Sequence, residues 1–139
     1  MLEEFGNPHE AEIYARKAIE LQPNYAEAHS NLGNILNDLG NLKEAELSQR
    51  KAISLDPNLV EAHSNLGSIL KDLGQLQEAE LSTRKAIELR PDFAEAQYNL
   101  GIILKDLGNL KEAEFSTRKA IDLNPDNAMA HSHLGNILK

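Results

Sequence analysis

The sequence predicts an all-α fold, a solenoid of antiparallel helix pairs stacked side by side. Three observations lead there. A short segment, Ala28-His29-Ser30-Asn31-Leu32-Gly33, returns at Ala62–Gly67, Ala96–Gly101 and Ala130–Gly135, always at a step of 34 residues. A constant period of this size marks a stacked repeat array. Within a unit the apolar residues follow helical spacing: Ala28, Leu32, Ile35, Leu36 and Leu39 fall on one stripe at about 100° per residue. The chain of 139 residues is 41% hydrophobic but only 4% aromatic and lacks Trp, so its core is built of Leu, Ile and Ala, which suits close helix packing.

In chain order, residues 1–5 read as the tail of a helix closed by Gly6. Asn7 is placed to cap the next helix, with Pro8 at its first position and Glu10 returning a capping-box bond. That helix is expected to run to about Leu21, ahead of Pro23. Three complete units follow, 26–59, 60–93 and 94–127, between a partial unit 1–25 and a partial unit 128–139, all in one array spanning 1–139. In each unit Asn24, Asn58, Asp92 or Asp126 follows a proline and is expected to cap the first helix, with Glu27, Glu61 and Glu95 completing boxes and Met129 breaking the fourth. Gly40, Gly74 and Gly108 are expected to end the first helices. Asn41 and Asn109 are then expected to cap the second helices, with Glu44 and Glu112 returning the bond. Gln75 is a poorer cap and predicts fraying there. The chain begins and ends in mid-unit, which reads as a piece of a longer array.

The other columns repeat at the same step: Ala11, Ala45, Ala79, Ala113; Ala18, Ala52, Ala86, Ala120; Pro23, Pro57, Pro91, Pro125. With the leucine–glycine pair, both alanines and the proline at this spacing, the chain resembles the tetratricopeptide repeat (TPR) family over its whole length. The resemblance implies a right-handed superhelix with a concave groove lined by first helices. One departure stands out. Where the family usually has an aromatic residue in the second helix, this chain has Ala15, Gln49, Thr83 and Thr117.

Burial follows from the same register. Gly33 with Ala45, Gly67 with Ala79 and Gly101 with Ala113 are expected to let paired helices approach closely, and Ala52 to receive the next first helix. Ile13, Leu47, Leu81 and Phe115 fall opposite the core stripe and are expected to face outward on the convex side, partly against neighbouring side chains or as a contact for another chain.

Composition limits function. The net charge of −8 argues against nucleic acid or an anionic membrane as partner, since both demand clustered Lys and Arg. No apolar run approaches the roughly 20 residues of a membrane span. The N-terminus lacks a signal core, so cytoplasm is the default location if Met1 is native, and the location is unknown if the chain is a fragment. Without cysteine there is no disulfide or thiolate metal site. His29, His63 and His131 share one column with Gln97 and stand one or more repeats apart, too far to share a metal, and no catalytic arrangement is evident. No cofactor is expected.

The candidate binding stripe lies beside the core stripe of the first helices: Glu27, Asn31, Asn34, Asp38; Glu61, Asn65, Ser68, Asp72; Glu95, Asn99, Ile102, Asp106. The resemblance places it in the groove. An Asn amide both donates and accepts, so Asn31, Asn65 and Asn99 form a ladder able to hold a peptide backbone, interrupted at His133. The ladder is similar to that in the TPR region of O-linked N-acetylglucosamine transferases. The acids favour a neutral or basic peptide, softened at the edge by Lys71, Lys105 and Lys139. TPR domains that clamp a C-terminal carboxylate carry Lys and Arg where this chain has Ser30, Ser64, Glu95 and Asn99, so no such clamp is expected. The expected function is a protein-binding scaffold. Two alternatives are a substrate-recruiting arm of a larger enzyme, such as a glycosyltransferase, and a module that self-associates through its open ends, at Leu2 and Leu134.

Overall fold

A computed structural model describes residues 6–139. The proposed helix tail at residues 1–5, with Leu2, lies outside the described residues. The elements are all helical: α1 (Pro8–Leu21), α2 (Ala26–Asp38), α3 (Leu42–Leu55), α4 (Val60–Asp72), α5 (Leu76–Leu89), α6 (Ala94–Asp106), α7 (Leu110–Leu123) and α8 (Ala128–Leu138). Each of α2, α4 and α6 packs most extensively on the helix that follows it, and successive first helices also touch, α2 on α4, α4 on α6 and α6 on α8. Short connections between tightly packed partners make the pairs antiparallel.

The pairs close because of small residues. A Cβ added at Gly67 would meet the Ala79 carbonyl at 3.2 Å and the Thr83 amide at 3.3 Å, besides the Thr83 hydroxyl. At Gly33 it would meet Gln49 Nε2 at 2.6 Å. The column that departs from the family therefore fills the space opposite the glycines: Gln49, Thr83 and Thr117 are completely buried. Gln49 is satisfied there, accepting from Ser30 Oγ (2.8 Å) and donating to the Ser30 carbonyl (2.9 Å).

The core is divided along the array. One cluster joins Leu32, Leu36, Ala45 and Ile69, with Ala15, Ile19 and Leu73 against it. The next joins Leu66, Leu70, Ala79 and Ile103, and a third joins Leu100, Leu104 and Ala113. Each of the first two draws on consecutive repeats, so neighbours stabilise one another.

The helix ends correct part of the sequence expectation. Asn7 does cap α1, its Oδ1 accepting from the Glu10 amide at 3.2 Å. The first helices, however, start at Ala26, Val60, Ala94 and Ala128, with Tyr25, Leu59, Phe93 and Asn127 at the cap position. Asn24, Asn58, Asp92 and Asp126 are not caps. They sit in turns whose fourth residue bonds back to the first, as in Leu59 N–H to the Asp56 carbonyl (3.1 Å) and Phe93 N–H to the Arg90 carbonyl (3.2 Å). Proline is at the second turn position, where its fixed φ suits the turn, and Asn or Asp at the third. Glu27, Glu61 and Glu95 then fall too early in the helix for a capping box. Only Asn127, polar in an otherwise apolar column, caps with its side chain, accepting from Met129 and Ala130 amides.

The second helices also differ from expectation. Asn41, Gln75 and Asn109 occupy the cap positions but make no side-chain cap bond. Their own amides close the preceding helix instead: Asn41 N–H reaches the Leu36 carbonyl at 2.8 Å, and Gly40 N–H the Asn37 carbonyl at 3.0 Å. This is a Schellman closure around Gly40 at φ 84°, repeated at Gly74 and Gly108. The glycine closure serves all three repeats alike, so α5 after Gln75 is as long as α3 and α7.

Candidate peptide-binding groove

The cations are concentrated in one of the two helix layers. The second helices α1, α3, α5 and α7 hold ten of the 14 Lys and Arg and eleven of the 22 Asp and Glu, a net of −1, which leaves −7 for the first helices, loops and N-terminus. On the second-helix layer the cations are tied into a ladder. Arg16 bonds Glu12 at 2.9 Å and Glu44 at 2.7 Å; Arg50 bonds Glu46 at 2.9 Å and Glu78 at 2.7 Å; Arg84 bonds Glu80 at 2.8 Å and Glu112 at 3.2 Å. Each arginine thus joins one second helix to the next. The bonds to Glu44 and then Glu12 hold the Arg16 guanidinium above its ordinary pKa. For Arg50 burial works the other way, but its two carboxylates outweigh it and the pKa is again raised. Glu44 and Glu112, expected to complete caps, serve this ladder.

The first helices α2, α4, α6 and α8 carry six carboxylates against two lysines, a net of −4, together with the asparagine column. A depression of about 480 Å³ is lined by Ser30, Asn31, Asn34, Asn37 and Asp38 of α2, Glu61, Asn65 and Ser68 of α4, and Phe93 and Glu95 where α6 begins. It brings together Asn31, Asn34, Asp38, Glu61, Asn65, Ser68 and Glu95 from the stripe. Glu27, Asp72, Asn99, Ile102 and Asp106 lie outside its lining. Exposure along the ladder is graded: Asn31 is exposed, Asn65 half-buried, and Asn99, on α6 between α4 and α8, is 8% exposed.

Arg90 and Phe93 were missed by the sequence reading. The Arg90 guanidinium lies 5.0 Å from the centre of the Phe93 ring, and its Nη2 donates to Glu61 Oε2 at 3.0 Å. Glu61 is held below its usual carboxylate pKa, first by its own backbone amide and, against the cost of burial, by Arg90. The signal for Arg90 was a break in period, since its column reads Gln22, Asp56, Arg90, Asn124; Phe93 continues the apolar column of Tyr25 and Leu59 and gave no such signal.

The histidine column has a structural role. His29, His63 and His131 each bond through Nε2 to the carbonyl of Pro23, Pro57 or Pro125 at 2.8 Å. A carbonyl only accepts, so Nε2 carries the proton. His133, off the asparagine ladder, meets Tyr98 edge-on at 6.0 Å. Ile13, Leu47, Leu81 and Phe115 are 66%, 67%, 69% and 71% exposed. Among the described residues no helix is long and apolar enough to cross a membrane.

Models of the TPR repeat match residues 33–74 and 67–108, and models of the tetratricopeptide repeat match 1–25, 14–46 and 94–127. The chain belongs to the tetratricopeptide repeat family. Its helix pairs are the TPR units, and their stack is the right-handed superhelical solenoid of that family. Among solved structures, this TPR chain is similar to MamA 41-end from Desulfovibrio magneticus RS-1, with 28% identity, a TM-score of 0.86, and coverage of 96% of this chain and 76% of that one. It is similar to Pseudomonas aeruginosa PilF, with 25% identity and a TM-score of 0.89 over 97% of this chain and 62% of that chain. The first TPR of Spaghetti (RPAP3), bound to the HSP90 peptide SRMEEVD, is similar at 25% identity and a TM-score of 0.80, covering 81% of this chain and 90% of that one. No curated protein sequence matches the chain.

Proposed function

We propose that this TPR array is a scaffold that recognises another protein by holding an extended, neutral-to-basic peptide in the depression between α2, α4 and the start of α6. The observation that carries this reading is the convergence of Asn31, Asn34 and Asn65 with Asp38, Glu61 and Glu95 on one polar concavity. Amides there can bond a peptide backbone on both its donors and acceptors, and the excess of carboxylates repels acidic ligands. Asn99, little exposed, contributes least. The asparagine register is similar to that of O-linked N-acetylglucosamine transferases, which supports the use of the ladder for peptide backbone. An acidic peptide of the kind held by the Spaghetti TPR is disfavoured here, because Ser30, Ser64, Glu95 and Asn99 stand where a carboxylate clamp needs cations. Recognition, with no chemistry of its own, is the role this arrangement serves.

A peptide-library screen of the chain beside the triple variant Asn31→Ala, Asn65→Ala, Asn99→Ala, matched for helicity by circular dichroism, tests it. Ligands bound by the parent and lost by the variant support the groove. Retention of all ligands by the variant overturns it and moves recognition to the convex Ile13, Leu47, Leu81 and Phe115 stripe, the second surface able to contact another chain.

Self-association through the end helices is a second reading, supported by the exposed apolar side chains Ile13 and Tyr14 on α1 and Met129 on α8. Sedimentation over a concentration series checks this. Growth of mass with concentration, abolished by Leu134→Ser, supports it, and a strict monomer sinks both this reading and the convex contact between copies.

A further inference from the structure

Phe93 is the one large apolar side chain lining a concavity otherwise made of amides, hydroxyls and carboxylates. It is half-buried, and the guanidinium of Arg90 packs on its ring at 5.0 Å. The same guanidinium bonds Glu61 at 3.0 Å. One arginine therefore does two things at once. It pins the ring at the mouth of α6, by the attraction of a cation to an aromatic face, and it neutralises one of the three carboxylates of the concavity. Glu95 and Asp38 make no ion pair among the described residues and keep their charge for a ligand. Arg90 departs from its column, where the equivalent places hold Gln22, Asp56 and Asn124, whereas Phe93 continues the apolar column of Tyr25 and Leu59 and is set apart by the guanidinium packed on its ring. The end of the 60–93 unit thus gives the concavity a polarity along its length, with amides over α2 and α4 and an apolar anchor beside Glu95 at the start of α6.

We infer that Phe93, positioned by Arg90, sets the sequence preference of the groove, selecting extended peptides that place an apolar side chain on the Phe93 ring beside a Lys or Arg directed at Glu95. This rests on the groove reading proposed above and adds side-chain specificity to it. The amides read the backbone, which every peptide has, so they select conformation and not sequence. Discrimination between peptides falls to the groups that differ from amides, namely the Phe93 ring and the carboxylates of Glu95 and Asp38. A ligand side chain seated on the ring removes apolar surface from water, and a basic neighbour offsets the carboxylate next to it.

The test uses a library of random nonapeptides, acetylated and amidated so that terminal charges play no part. The parent chain is compared with Phe93→Ala, Phe93→Leu, Arg90→Gln and the pair Asn31→Ala, Asn65→Ala, each checked for helicity. The parent is expected to enrich peptides with Leu, Ile, Met or Phe adjacent to Lys or Arg. Phe93→Ala is expected to weaken the best of these about 10-fold or more and to lose the apolar preference while keeping the basic one. Phe93→Leu, which preserves bulk and the fold, is expected to retain most binding. Arg90→Gln is expected to blunt the apolar preference and to strengthen selection for basic residues, since Glu61 is released. If Phe93→Ala selects the same peptides with unchanged affinity while the Asn pair loses them, the anchor is overturned and the groove reading stands. Binding unchanged in every variant, or no enrichment by the parent, overturns both.

Discussion

Arg50 Nη2 donates to Glu78 Oε2 across 2.7 Å, while its Nε holds Glu46 of its own helix at 2.9 Å, so one side chain clamps α3 to α5. These second helices make no extensive apolar contact with each other, and the arginine ladder is the direct link between them. Arg50→Ala is expected to lower stability by about 0.5–1 kcal/mol, the range of exposed but networked ion pairs. Urea denaturation at low salt and in roughly 1 M salt, where screening shortens the Debye length to about 3 Å, checks this; the difference from the parent is expected to shrink with salt.

The helical glycines are not equivalent. Gly67→Ala pushes a methyl group against backbone atoms at 3.2 and 3.3 Å, and is expected to cost about 1–3 kcal/mol by overpacking. At Gly33 the three atoms nearest an added Cβ all belong to Gln49, at 2.6, 2.9 and 3.0 Å. Because that side chain is buried and bonded twice to Ser30, Gly33→Ala is expected to cost a similar amount through the bonds it displaces. Gly135→Ala meets nothing within 4 Å and is expected to stabilise α8 by up to about 1 kcal/mol through helix propensity. Denaturant midpoints of the three variants give the order directly.

His63→Ala removes the 2.8 Å bond to the Pro57 carbonyl from a side chain that is 9% exposed. A loss of about 1–2 kcal/mol is expected, combining the bond with lost packing. Hydrogen exchange is expected to quicken first in the turn before α4 and at that helix's start.

Glu61 has a lowered carboxylate pKa in the folded chain. A depressed native pKa contributes stability that is present above the unfolded value, about 4.3, and lost as pH falls through the folded value. Glu61→Gln is therefore expected to flatten the acid limb of the stability profile below about pH 4, with little change in slope above neutrality. Thermal melts across that range check it; an unaltered acid limb would exclude Glu61 as a contributor.

Most of the helix map was legible because its determinants are local. Pro8 and Asn7 start α1, the Leu36–Gly40–Asn41 closure ends α2, and apolar residues three and four apart make one face to bury. The exposure of Ile13, Leu47, Leu81 and Phe115 followed from the same angle. The caps of the first helices were misread since Asn24 and Asn58 suit a cap and a turn equally well. The choice was made by the bond from the fourth turn residue to the first, with proline at the second position.

Period and register, acting within a few residues, account for the helix pairs, their glycine closures and the face each helix buries. Tertiary packing decided the rest. It fitted Gln49, Thr83 and Thr117 opposite the glycines, graded Asn31, Asn65 and Asn99 from exposed to buried, and set Arg90 on Phe93 within reach of Glu61. Those relationships bring together side chains from different helices, whose spacing depends on how the helices pack. No local preference encodes that distance. It emerges from the packing of side chains across the whole stack.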